Sequence, residues 1–210
     1  MRIFLGVTGA SGALYAAHAL RALTAAGCEV GLCASEAGVQ VVAHEVLEIG
    51  VRPKLTAGEV MAQLVARYAE EPGTVELLDR HDLTSAFASG SSLSPGALVA
   101  PCSMSTLAAI AHGTGANLIH RCADVMLKEG RRLVLIPRET PLSLVHLENM
   151  LAARRAGATV LPAMPGFYGH PRSVDEMVDF VVGKALDQLG VPHALLRRWG
   201  SDPAAVEAPA

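Results

Sequence analysis

The chain has 210 residues, enough for one fully cored domain, and no shift of composition divides it. Its 17 basic and 20 acidic residues leave a net charge of -3, which gives no global field for nucleic acid or an anionic membrane. Any anion site must be local. Apolar residues make up 51% and aromatic residues only 4%, so the core must be Ala, Val, Leu and Ile at close approach, a composition suited to helices laid on a sheet.

Residues 2–7 are a short apolar run that predicts a strand. Thr8-Gly-Ala-Ser-Gly12 follows, then a helical period on Leu14, Ala17, Leu20 and Leu23. A second strand is predicted over 29–34, with Ser35 as the N-cap of a helix bearing Val39, Val42, Ala43 and Val46. This βαβα opening predicts an α/β fold with a mostly parallel sheet covered on both faces, and ligands beyond the carboxyl ends of the strands. Thr56-x-x-Glu59 reads as a capping box opening a helix to about residue 69, and a weak strand signal follows over 75–78. Ser89-Gly-Ser-Ser92 is expected to be a mobile loop. A buried strand over 97–100, helices over 103–111 and 117–129, and a strand over 133–136 ending in Pro137 resume the alternation. Thr140 and Pro141 predict the N-cap and first position of a helix to about 156, followed by a short strand over 159–161. Ser173-x-x-Glu176 reads as the capping box of a last helix reaching Leu189. Residues 191–210, with Pro192, Pro203 and Pro209, are expected to form an arm or tail on a single domain of residues 1–190.

Cys28, Cys33, Cys102 and Cys122 show no CxxC or zinc spacing and no leader pattern precedes them, which suits a reducing cytoplasm. The most apolar stretch, 96–111, is broken by Pro101 and hydroxyl residues and is shorter than the roughly 20 residues that span a bilayer. No membrane span and no metal site are expected; His146, Glu148 and Asn149 form a polar helix face without paired-ligand spacing.

Gly9-Ala-Ser-Gly12 lies at the end of the first strand, where the amides of a helix start face a ligand and glycine permits close approach, so an anion is the expected guest. Ser35 and Ser103-Met-Ser-Thr106 also sit between a strand and a helix, and in a parallel sheet they converge on the same edge as Ser11, as caps or as ligand contacts. Cys102 beside them reads as a small buried hydrophobe. Arg138 follows a strand and faces the expected cleft; Glu139 is either a proton acceptor or an ion-pair partner. Arg121 and Lys128 share one helix face, whereas Arg131 and Arg132 read as solvated surface charge. His44 and Glu45 lie on a helix that should carry them away from the cleft, and read as surface residues. Tyr168, in Pro165-Gly-Phe-Tyr168-Gly-His170-Pro, is expected to place its hydroxyl over the same edge.

Taken together, Thr8-Gly-Ala-Ser-Gly12, Pro101-Cys-Ser-Met-Ser-Thr106, Arg121-x-x-Asp124-Val-x-Leu-Lys-Glu129, Pro137-Arg-Glu-Thr-Pro-Leu-Ser143, His146-Leu-Glu-Asn-Met150 and Pro165-Gly-Phe-Tyr168 resemble the UbiX-like flavin prenyltransferases, over about residues 2–199. The resemblance implies a Rossmann-like (flavodoxin-like) three-layer flavoprotein, a homododecamer with active sites at subunit contacts. It implies transfer of a dimethylallyl group from dimethylallyl phosphate to N5 and C6 of reduced FMN, without a metal, the prenylated FMN serving a UbiD-like decarboxylase. Carried over by motif, Gly9, Ala10, Ser11, Ser35, Ser103, Met104, Ser105, Thr106 and Arg138 are the implied FMN contacts. Tyr168 and Lys184, with Arg121, Lys128 and Arg138, are the implied contacts to the prenyl phosphate, and Ser11, Glu45, Glu139 and Tyr168 the implied catalytic residues. Lys184 stands where several relatives have Arg, and Leu83 where some have Trp. Glu45 is implied to act in a site shared between subunits. Two rivals remain at this point: a flavoprotein decarboxylase of peptidyl or pantothenoyl cysteine, whose Pro-Ala-Ser-Ala-Asn-Thr type of turn is replaced here, and a carrier that only delivers FMN.

Overall fold

The computed structural model describes residues 1–71 and 74–196. In chain order these form β1 (Arg2–Val7), α1 (Ala13–Ala25), β2 (Glu29–Ala34), α2 (Glu36–Glu45), α3 (Ala57–Tyr68), β3 (Val75–Leu78), β4 (Gly96–Cys102), α4 (Met104–His112), α5 (Leu118–Lys128), β5 (Arg132–Pro137), α6 (Leu144–Arg155), β6 (Thr159–Val160) and α7 (Val174–Leu189). The strands make one sheet in the order β3-β2-β1-β4-β5-β6, every neighbouring pair parallel. Parallel strands need crossover helices, which cover both faces, and strand side chains alternate between them. In β1, Ile3, Leu5 and Val7 join the core under α1, α2, α3 and α7, while Phe4 points into the opposite core with Leu107, Ile119 and Leu135. Three layers result, as the alternation predicts.

Several local readings are corrected. The helix predicted from Thr140 begins at Leu144, because the Ser143 hydroxyl accepts the His146 N–H at 3.2 Å and the His146 ring accepts the Ser143 N–H at 3.2 Å. Histidine thus closes a capping box that a search for Ser-x-x-Glu does not see. At α7 the expected box is half formed: Ser173 accepts the Glu176 N–H, but Glu176 accepts the N–H of Arg172 at 2.7 Å. Arg131 is no solvated charge; its guanidinium donates to the carbonyls of Gly90 and Ser92, each at 2.6 Å, and so ties down the loop expected to be mobile. Arg132 likewise donates to the Leu189 carbonyl at the end of α7. Beyond α7, Val191 is buried and Leu195 packs against the core. The rest of the expected arm, residues 197–210, lies outside the described residues. Among the described residues no helix is long and apolar enough to cross a membrane.

Candidate active site

The strand order places a topological switch point between β1 and β4, since the chain leaves β1 toward β2 on one side and returns to β4 on the other. The crevice beyond their carboxyl ends is where such sheets hold ligands. Buried Thr8 fastens the two strand ends there: its hydroxyl donates to the Pro101 carbonyl at 2.8 Å and accepts the Ser103 N–H at 2.7 Å. Arg138 fastens the third, its Nε donating to the Ser11 carbonyl at 2.9 Å and its N–H to the Cys102 carbonyl at 3.3 Å. Gly9, Ala10, Ser11, Ser103, Met104, Ser105, Thr106 and Arg138 therefore share one edge. Ser103 caps α4 by accepting the Thr106 N–H at 3.3 Å, and its hydroxyl also bonds Thr106 and Ser105. Ser35 caps α2 by accepting the Gly38 N–H at 3.0 Å. Cys102 is fully buried, and burial pushes its thiol far up, which suits the hydrophobe its sequence position suggests.

Glu45 is not carried away from this edge. α2 lies across the carboxyl ends: Ala37 seats against Gly9, Gly38 seats against the Val7 carbonyl, and both contacts are too close for a further Cβ. The far end of α2 consequently reaches the start of α1, where one Glu45 carboxylate oxygen accepts the N–H groups of Gly12 at 2.8 Å and Ala13 at 2.9 Å. The helix-start amides expected to face an anionic ligand are thus held by a carboxylate of the same chain, which complements the positive end of α1. This corrects the surface reading of Glu45, whose carboxylate reaches the carboxyl edge of its own chain. The missed signal was Gly38, a glycine inside the first turn of a helix.

The remaining candidates lie elsewhere. Tyr168 lies in the loop that follows β6, and its ring packs edge-on against Phe180 of α7, centroids 5.6 Å apart at 81°. Lys184 stands one turn further along α7 with Nζ 5.9 Å from the same ring, and the three residues line a cavity of about 500 Å³. Phe180, which sequence reasoning passed over, is the scaffold common to both. Arg121, on α5, donates to the Ala88 carbonyl at 3.0 Å and pairs with Asp124 at 2.6 Å. Lys128 is at the opposite, amino edge of the sheet, paired with Glu129 and against Gly90, so one chain does not bring it together with Arg138. The Lys128 bond and charge hold the Glu129 carboxyl below its ordinary range. Glu139 is exposed beside Arg138, its carboxylate accepting the Thr140 N–H at 3.1 Å.

An all-parallel six-stranded sheet in this order, with a hydroxyl-lined switch point and no nucleotide fingerprint, defines a Rossmann-like (flavodoxin-like) three-layer α/β protein. Its sequence matches the Flavoprotein family over residues 1–186. It is 48% identical over 198 residues to the flavin prenyltransferase UbiX of Halalkalibacterium halodurans, covering 94% of this chain and 93% of that one. It is 44% identical to the protein of the same name from Pseudomonas aeruginosa, covering 95% and 94%. Among solved structures, a UbiX protein in complex with FMN and dimethylallyl pyrophosphate superposes with a TM-score of 0.81 at 38% identity, covering 95% and 97%. A dodecameric FMN-dependent UbiX-like decarboxylase from Escherichia coli O157:H7 gives 0.76 at 40% identity, covering 92% and 97%. The chain belongs to the UbiX flavin prenyltransferase family. A peptidyl-cysteine decarboxylase, EpiD, shares only the fold, with a TM-score of 0.51 at 15% identity.

Proposed function

We propose that this chain is a flavin prenyltransferase that transfers a dimethylallyl group from dimethylallyl phosphate to reduced FMN, without a metal ion. The observation that carries the reading is the Arg138 tether to Ser11 beside the hydroxyl-bearing starts of α2 and α4, all at the switch point. That donor set fits FMN. Ser35 and Ser103 to Thr106 offer hydroxyls and helix-start dipoles to its phosphate, and the turn Gly9, Ala10 and Ser11 with Arg138 offers backbone and charge to the ring system. With the start of α1 occupied by Glu45, the flavin phosphate belongs to α2 and α4.

Reduced flavin supplies a nucleophilic N5 and then the ring carbon C6. The chain's task is to hold the leaving phosphate and keep water from an allylic centre that becomes cationic. Arg138, Arg121, Lys128 and Lys184 supply positive charge, Tyr168 bonds the phosphate and shields the prenyl group, and no metal is needed. Glu139 accepts the proton lost in closing the second bond, or passes it to the released phosphate, with Ser11 as relay; Glu45 fixes the turn on which Ser11 lies. The spread of these groups over the carboxyl edge, the α7 flank and the amino edge supports a complete site that draws on more than one copy of the chain. A dodecamer like that of the Escherichia coli relative would supply the contacts.

The product is a cofactor for a UbiD-like decarboxylase, and the unit that makes it is the single domain of residues 1–190, onto which Val191 and Leu195 pack. Four buried free thiols suit a cytoplasmic location. Anaerobic incubation with reduced FMN and dimethylallyl phosphate, followed by mass spectrometry of the released flavin, tests the reading. A flavin heavier by one prenyl unit is expected; an unmodified flavin overturns it.

A further inference from the structure

The cavity that holds Tyr168 and Lys184 has a wall that should repel an anion, for it is also lined by two acidic residues, Glu176 and Asp179. Two acids against one lysine would oppose the phosphate assigned to this cavity above, and the present inference rests on that assignment. Glu176 is engaged at the start of α7, where it accepts the Arg172 N–H at 2.7 Å. Asp179 is met from behind by α1. Its Oδ1 lies 2.7 Å from Nδ1 of buried His18 and 3.1 Å from Nη2 of Arg21, which is also 3.4 Å from Oδ2. The other His18 nitrogen is 3.4 Å from exposed Asp175, so the imidazole is divided between two carboxylates, whereas Arg21, whose Nη2 also lies 3.3 Å from His18 Nδ1, meets no carboxylate but Asp179 among the described residues. Lys184 has its ammonium over the Phe180 ring, and among the described residues no carboxylate pairs with it.

We infer that Arg21, outside the cavity, is a positioning residue for the prenyl phosphate: it acts through Asp179, neutralising that carboxylate so that Lys184 is the uncompensated charge the phosphate meets. A full charge several ångströms from a phosphate in a partly solvated wall changes affinity by about fivefold to tenfold, most at low salt.

The test uses Arg21→Met, which keeps much of the apolar stem, Asp179→Asn and the double variant, each as the assembled full-length protein. KM for dimethylallyl phosphate, kcat and FMN affinity are measured at low ionic strength. Arg21→Met should raise KM about fivefold to tenfold with kcat and FMN affinity little changed. Asp179→Asn should leave KM unchanged or lower it, and the double variant should return it to the wild-type value. If Asp179→Asn raises KM as much as Arg21→Met and the double variant is no better, the pair only supports the fold and the inference fails. An unchanged KM in Arg21→Met also overturns it. Lys184→Met separates this from the underlying reading: a raised KM there with no effect of Arg21→Met defeats the inference alone, whereas no effect of Lys184→Met removes the phosphate from the cavity and both fall.

Discussion

Gly9→Ala tests the placement of α2 across the carboxyl edge. A Cβ at residue 9 would lie 2.4 Å from the Ala37 Cβ, whereas carbon atoms in contact sit about 3.5–4.0 Å apart, so the helix must retreat by about 1–1.5 Å. It cannot pivot freely, because Gly38 is seated on the Val7 carbonyl and Glu45 on the start of α1. Overpacking of this kind costs about 1–3 kcal/mol, or about 3–10 °C in Tm for a domain of this size. Since Ser35 and Glu45 move with α2, prenyl transfer should fall by on the order of a hundredfold, the usual result of displacing site groups by an ångström. Removing the obstructing methyl is the control. In Gly9→Ala with Ala37→Gly, stability should recover to within the ~1 kcal/mol cost of a helical glycine, and turnover should return with it. Urea unfolding and single-turnover flavin alkylation measure the two effects. A Gly9→Ala protein as stable as the wild type, or a double variant no better than the single, would refute the reasoning.

Other consequences concern charge and thiols. Glu45→Ala removes two charge-assisted bonds to the start of α1 and should cost about 2–3 kcal/mol, and Glu45→Gln about half as much; denaturant midpoints for Glu45→Ala within ~0.5 kcal/mol of wild type would contradict the cap. All four cysteines are buried, and burial pushes their thiols up, so iodoacetamide at about pH 8 should label none in the native protein and all four after unfolding, counted by mass. Burial, with the Asp79 charge adding to it, raises the Cys33 thiol from 9.0 to about 12. The fold thus favours the neutral thiol, a contribution complete below pH 9 and lost as pH rises toward 12. Cys33→Ala should accordingly lose less stability than wild type over that window; parallel losses in urea melts would rule the assignment out.

The architecture was legible because parallel strands buried on both faces write continuous apolar runs, and β1, β2, β4 and β5 are such runs bounded by glycine or hydroxyl turns. The convergence of Ser11, Ser35 and Ser103 followed from topology alone. Features that depend on how a helix is tilted were not legible. Glu45 was misplaced because helix periodicity fixes a face but not a direction, and only the Ala37 and Gly38 contacts lay α2 across the edge. Arg131 and Arg132 were misread because their partners are backbone carbonyls of residues 90, 92 and 189, which no sequence pattern announces. The spacing of Arg121 and Lys128 put them on one face of α5, yet the antiparallel course of that helix sends Lys128 to the amino edge while Arg121 stays nearer the site.

The proposal that prenyl transfer uses groups from different copies of the chain is tested most directly by subunit mixing. Arg138→Ala disables the carboxyl edge and Lys184→Ala the α7 flank; each alone should be nearly inactive in forming prenylated flavin. Co-assembled in equal amounts, they should recover about one quarter of wild-type activity, the share of sites that receive an intact edge from one chain and an intact flank from another. No recovery in a verified mixed oligomer would mean that each site is built from a single chain, and would contradict the account.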